Sequence, residues 1–109
     1  MRKIEREMLQ AIVDDRTHWS KDNTRVECSF GFADIFLHGH RIAHYDREES
    51  ILLINNCGYE TNTTKSRLNV LIDFVLDGTK NGIYQHNWNW FLRRDGVVED
   101  FPSNEWVAL

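Results

Sequence analysis

Cysteine occurs only at positions 28 and 57, proline only at Pro102, and no apolar run is longer than four residues. Two cysteines without paired spacing supply neither a disulfide framework nor a zinc knuckle, so Cys28 and Cys57 are expected to be free thiols packed as small hydrophobes. Runs such as Val70 to Ile72 and Ile51 to Ile54 fall far short of the roughly 18 to 20 apolar residues of a membrane span. The charged start Met1-Arg2-Lys3-Ile4-Glu5-Arg6-Glu7 has no apolar centre of the kind a signal peptide needs, so a cytoplasmic protein that avoids membranes is expected. Basic residues are not in excess. Lys and Arg number 13 against 17 Asp and Glu, a net charge of -4, which argues against a general polyanion binder. No glycine-rich run precedes a lysine, which excludes a phosphate-cradling loop of the nucleotide-hydrolase type. What remains is an ordinary globular composition, 41% hydrophobic and 28% charged, with room in 109 residues for a single domain spanning 1 to 109.

The patterning predicts an α+β fold. Ile4, Met8, Ala11 and Ile12 follow the spacing of one helical face, so residues 3 to 14 read as an amphipathic N-terminal helix. A polar connection follows, in which Trp19 is the expected buried anchor. From residue 26 the period changes to two. Val26, Cys28 and Phe30, then Ala33, Ile35 and Leu37, then Ile42 to Tyr45, then Ile51 to Ile54 form an antiparallel β-meander of about four strands with connections too short for a crossover helix. Leu68, Leu71, Ile72 and Val75 share one face of a principal helix over about 64 to 77, stopped at Asp77-Gly78 by a left-handed glycine. Short strands at Ile83 to His86 and across Trp88, Trp90 and Leu92 lead through Asp95-Gly96 into Val97 to Phe101, a Trp-containing C-terminal hairpin. Pro102 is expected to end regular structure.

Three blocks carry a resemblance: Leu37-His38-Gly39-His40-Arg41-Ile42-Ala43, the segment Gly58 to Asn69, and Tyr84 to Leu92. Together they resemble a group of small uncharacterised proteins from tailed bacteriophages, in which an LHG-x-x-IA hairpin precedes a T-x-T-T-K-S-R-L-N helix start and a Q-x-N-x-x-W strand. The resemblance covers roughly residues 35 to 92. It implies a small phage accessory product, a kind that often acts by binding host machinery or host defence.

Thr63-Thr64-Lys65-Ser66-Arg67 is the most informative candidate site. It sets two cations and several hydroxyls in the first turn of a helix, where free amides and the positive end of the dipole favour an anion and disfavour Lys and Arg. Something negative should compensate them. One reading is a phosphate of nucleic acid or nucleotide held by the amides, the hydroxyls, Lys65 and Arg67. The other is that Thr63 or Thr64 merely caps the helix, with the cations solvated or paired to Glu60 or another acid.

His38, His40 and His44 invite a zinc reading that hairpin geometry opposes. A turn at Gly39-His40 places His38 and His44 on opposite faces, and a turn at His38-Gly39 leaves His40 and His44 on one face without a third ligand. No metal and no cofactor are therefore expected. No serine sits in a nucleophile elbow and neither cysteine has a neighbouring histidine, so an enzyme is not expected. Aromatic residues are dense. Phe32 and Phe36 fall with Asp34 on the sheet face opposite Ala33, Ile35 and Leu37, and only one face can meet the principal helix. Either the N-terminal helix and the Trp hairpin cover the second face, or it stays open as an aromatic patch for a homodimer, a protein partner or base stacking.

The leading expectation is a non-catalytic phage accessory protein that binds and inhibits or redirects a host protein, with an anti-defence protein such as an anti-CRISPR as one form. Its anchors would be Arg41, Trp88, Trp90, Phe32 and Phe36, joined by Lys65 and Arg67. The alternative is a nucleic-acid-binding module using the Lys65 and Arg67 helix start with exposed aromatics. A third reading, an enzyme acting on a phosphorylated small molecule, requires a deep pocket beside Thr64 to Arg67.

Overall fold

A computed structural model describes all of residues 1–109. Helix α1 spans Lys3–Val13 and buries Glu5, Met8, Ala11 and Ile12, the stripe that the 3.6-residue period dictates with one acidic member. Strands β1 (Trp19–Lys21), β2 (Thr24–Ser29), β3 (Phe32–Leu37), β4 (His40–Asp46) and β5 (Ile51–Ile54) then run as an antiparallel meander. Helix α2 spans Asn62–Val75. Strands β6 (Gly82–His86), β7 (Asn89–Arg94) and β8 (Val97–Asp100) form a separate three-stranded sheet, and β9 (Val107–Ala108) returns to pair with β5 at the edge of the first sheet. The fold is α+β, as the patterning indicates.

Several boundaries differ from the sequence expectation. The connection after α1 holds β1, where Ser20 and Lys21 pair with Arg25 and Thr24, and Trp19 is only partly buried against the core. Helix α2 starts two residues earlier because Thr61, not Thr63 or Thr64, is the N-cap, its hydroxyl accepting the Thr64 amide at 3.1 Å. Its C-cap is the extended residue Leu76, and Gly78 is not left-handed; a Cβ there would collide with the Asp73 carboxylate. Trp88 lies in the β6–β7 turn instead of a strand, and regular structure resumes after Pro102 in β9.

The core is one cluster. Met8, Ala11 and Ile12 of α1 meet Leu68, Leu71 and Ile72 of α2 over Val26, Cys28, Ala33, Ile35, Leu37, Leu52 and Ile54 of the large sheet, and Ile83, Trp90 and Leu92 of the small sheet close its far side. Each large apolar side chain so buried stabilises by roughly 1.5–3 kcal/mol. Both helices therefore lie on the same face of the large sheet. The opposite face carries Arg25 and Glu27, Phe32, Asp34 and Phe36, then Arg41 and His44, and no helix or strand covers it. Of the two alternatives left open for that face, cover by α1 and the Trp hairpin is corrected: α1 joins α2 on the inner face, and the small sheet packs on α2.

Candidate functional site

The helix start singled out from sequence encloses a carboxylate of the protein itself. Arg67, 3% exposed, lies inside, where its Nη1 donates to Glu5 Oε2 at 2.8 Å and its Nε to the Thr24 hydroxyl at 3.1 Å. The Ser66 hydroxyl donates to the same Glu5 oxygen at 2.6 Å, and the Arg2 amide reaches the other at 3.2 Å. Burial pushes the Glu5 carboxyl up, yet the bonds from Ser66, Arg67 and Arg2 and the Arg67 charge outweigh it and hold the group below its ordinary value. The compensating negative charge is Glu5 of α1, a residue outside the apolar stripe of Ile4, Met8, Ala11 and Ile12 that the sequence pattern marked. Its position one helical turn before Met8 was the available signal. Lys65 is half-buried and makes no ion pair, so α2 presents one cation at this end instead of two.

Beside that start lies a cavity of about 330 Å³, lined by Leu37, His38, His40, Ile42, Asn56, Tyr59, Thr61, Thr63 and Thr64. The β3–β4 hairpin forms one wall. His38 and Gly39 take φ of 51° and 80° as its two turn residues, the left-handed pair of a tight hairpin. Leu37 then faces His40, and a bulge at Ile42 of β4, between the Ile35 and Phe36 pairings, shifts the register so that Asp34, not Ala33, faces His44. That bulge separates the histidines. His40 joins Tyr59, whose hydroxyl lies 3.2 Å from Nε2, while His44 turns to the other face. No group of three or more His, Cys, Asp or Glu is placed to hold a metal ion.

The uncovered face of the large sheet is a mosaic of rings and paired charges. Asp34 is its hub: His44 Nδ1 lies 2.7 Å and Arg41 Nη1 3.3 Å from the same oxygen. The Phe32 ring stacks on His44 at 5.0 Å, the Arg25 guanidinium sits 4.0 Å over Phe36, and Arg41 reaches the Trp106 ring at 5.1 Å. Guanidinium-on-ring contacts of this kind help to hold these arginines in place. Arg25 is also 3.3 Å from Glu27, so each cation of the patch has a carboxylate neighbour.

With this geometry in view, comparison with known proteins gives one result. The family model described as Kyanoviridae Gp96 protein matches residues 1–108. The chain belongs to this family. It is a small phage-associated protein, as the resemblance of residues 35 to 92 implied over a shorter span. No curated protein and no solved structure matches the chain.

Within this member of the Kyanoviridae Gp96 family, the structure separates the two tryptophans that sequence reasoning had joined. Trp88 stands at the β6–β7 tip, 87% exposed, with φ of 68° after Asn87 at 50°. The equivalent second turn position is glycine in the Phe30-Gly31, His38-Gly39 and Asp95-Gly96 hairpins, so an aromatic side chain here occupies a left-handed site that costs about 1–2 kcal/mol. Trp90, 4% exposed, is core, tilted against Phe101 at 6.0 Å with its indole nitrogen unbonded. Of the expected anchors, Phe32, Phe36 and Arg41 share the open sheet face, Trp88 stands apart on a hairpin tip, and Trp90 points inward. No helix is long and apolar enough to cross a membrane.

Proposed function

We propose that this phage protein is a non-catalytic accessory factor that docks on a host protein through the open face of its large sheet and inhibits or redirects that protein in the host cytoplasm. The observation that carries the reading is the placement of both helices on one side of the sheet, which leaves Phe32, Phe36, Arg41 and Trp106 outward and fixed by stacking. Rigid aromatic and arginine side chains are the groups that concentrate binding energy at protein interfaces. A protein occupant fits better than nucleic acid, because Arg25 and Arg41 are neutralised by Glu27 and Asp34 and Arg67 is sealed against Glu5. Components of host defence are among the targets such a surface would serve.

The test is capture of partners from nuclease-treated host lysate with the wild type and with the double variant Phe36→Ser/Arg41→Ala. A partner held at near-equal stoichiometry by the wild type and lost by the folded variant supports docking. Retention by the variant, or loss of every partner on nuclease treatment, refutes it.

A further inference from the structure

We propose that the cavity between the β3–β4 hairpin and the start of α2 is a binding site for a small molecule carrying a phosphate group, with the phosphate at the helix end. It is independent of the docking face and lies on the other side of the sheet. The first turn of α2 contains no acidic residue, and the Thr63 amide has no acceptor within the protein, whereas the Thr64 and Lys65 amides are taken by Thr61. An amide left free at the positive end of a 14-residue helix favours an anion.

A second observation points to a ligand. Asn56 lines the same cavity and is fully buried; its Oδ1 accepts the Gly58 and Asn104 amides at 2.9 and 2.8 Å, and its Nδ2 has no partner at all. An orphaned buried amide donor costs about 1–3 kcal/mol unless something supplies an acceptor, and a bound phosphate oxygen supplies one. His40, steadied by Tyr59, and His38 add imidazole nitrogens at the rim. Leu37, Ile42 and the Tyr59 ring form apolar wall that inorganic phosphate cannot fill, so the occupant has an organic body as well.

Amide NMR on the full chain tests this with three probes: inorganic phosphate, ribose 5-phosphate and neutral ribose. We expect saturable shifts at the Thr63 amide and the Asn56 side-chain amide with both phosphates, ribose 5-phosphate binding at least about tenfold tighter, and none with ribose. Inorganic phosphate binding as tightly as ribose 5-phosphate would overturn the organic body. Binding of ribose as strong as that of ribose 5-phosphate, or no shift with any probe at about 10 mM, would overturn the site. Asn56→Asp keeps the acceptor for Gly58 and Asn104 but sets a carboxylate where the donor was, and should abolish binding. Because that buried change risks misfolding, His40→Ala, at an exposed rim position, is the second variant and should weaken binding about tenfold. Phosphate shifts unchanged in folded His40→Ala and Asn56→Asp would place the anion elsewhere and refute the assignment.

Discussion

Arg67 of α2 holds Glu5 of α1 across 62 residues of sequence, at 2.8 Å and almost wholly out of water. The pair ties the two helices that share one face of the sheet. Breaking one side of such a buried pair leaves an uncompensated charge, at a cost of about 3–5 kcal/mol. Arg67→Ala should therefore lower stability by that amount in urea denaturation, and Glu5→Leu/Arg67→Met, which removes both charges, should recover much of it. A single substitution costing under about 1 kcal/mol would show that the pair does not hold the helices together.

Acid should reach the fold through the same carboxylate. Its folded pKa lies below the ordinary 4.5, so its contribution is fully present above the unfolded value and is lost as pH falls through the lowered folded one. Glu7 and Asp77 are lowered too, by Lys21 and by Thr79, so acid unfolding of the wild type is not due to Glu5 alone. Melting temperatures of wild type and Glu5→Gln should converge as pH falls below about 4. A constant gap across that range would remove Glu5 from the acid response.

Trp88→Gly should make the protein more stable. Relief of the left-handed tryptophan is worth about 1–2 kcal/mol, read in thermal or urea melts. If Trp88 is a contact residue, partner affinity falls by tenfold or more at the same time. Higher stability with unchanged affinity would leave the hairpin tip without a binding role.

Thiol chemistry should be slow. Burial raises the Cys28 thiol, with a further push from the Asp15 charge, and burial raises Cys57. A disulfide reagent at neutral pH should label Cys57, which is only half-buried, before Cys28, and label both at once in denaturant. Fast native labelling of Cys28 would show that β2 opens.

The fold was legible wherever period and turn chemistry agreed. The α1 stripe, the alternation of β2 and β3, and the Asp95-Gly96 turn each carry a local signal strong enough to survive packing. Strand β9 was not legible, because two residues, Val107 and Ala108, hold no period and gain their strand only from the β5 edge. Asn87-Trp88 was misread because its turn uses a residue that sterics disfavour there. At the helix start the need for a negative partner was readable, but its source was not: Glu5 meets Arg67 only through tertiary packing. The His38-Gly39 hairpin was readable as a turn, while the bulge that sends His40 and His44 to opposite faces depends on burying both Ile42 and Ala43.

Because the outer sheet face contributes no side chain to the core, its alphabet is nearly unconstrained by folding. Substitutions at Phe32, Phe36 or Arg41 remove no core side chain, so one set of outward side chains can be exchanged for another above the same Ile35, Leu37 and Ile42. The scaffold beneath can stay the same while the surface is rewritten.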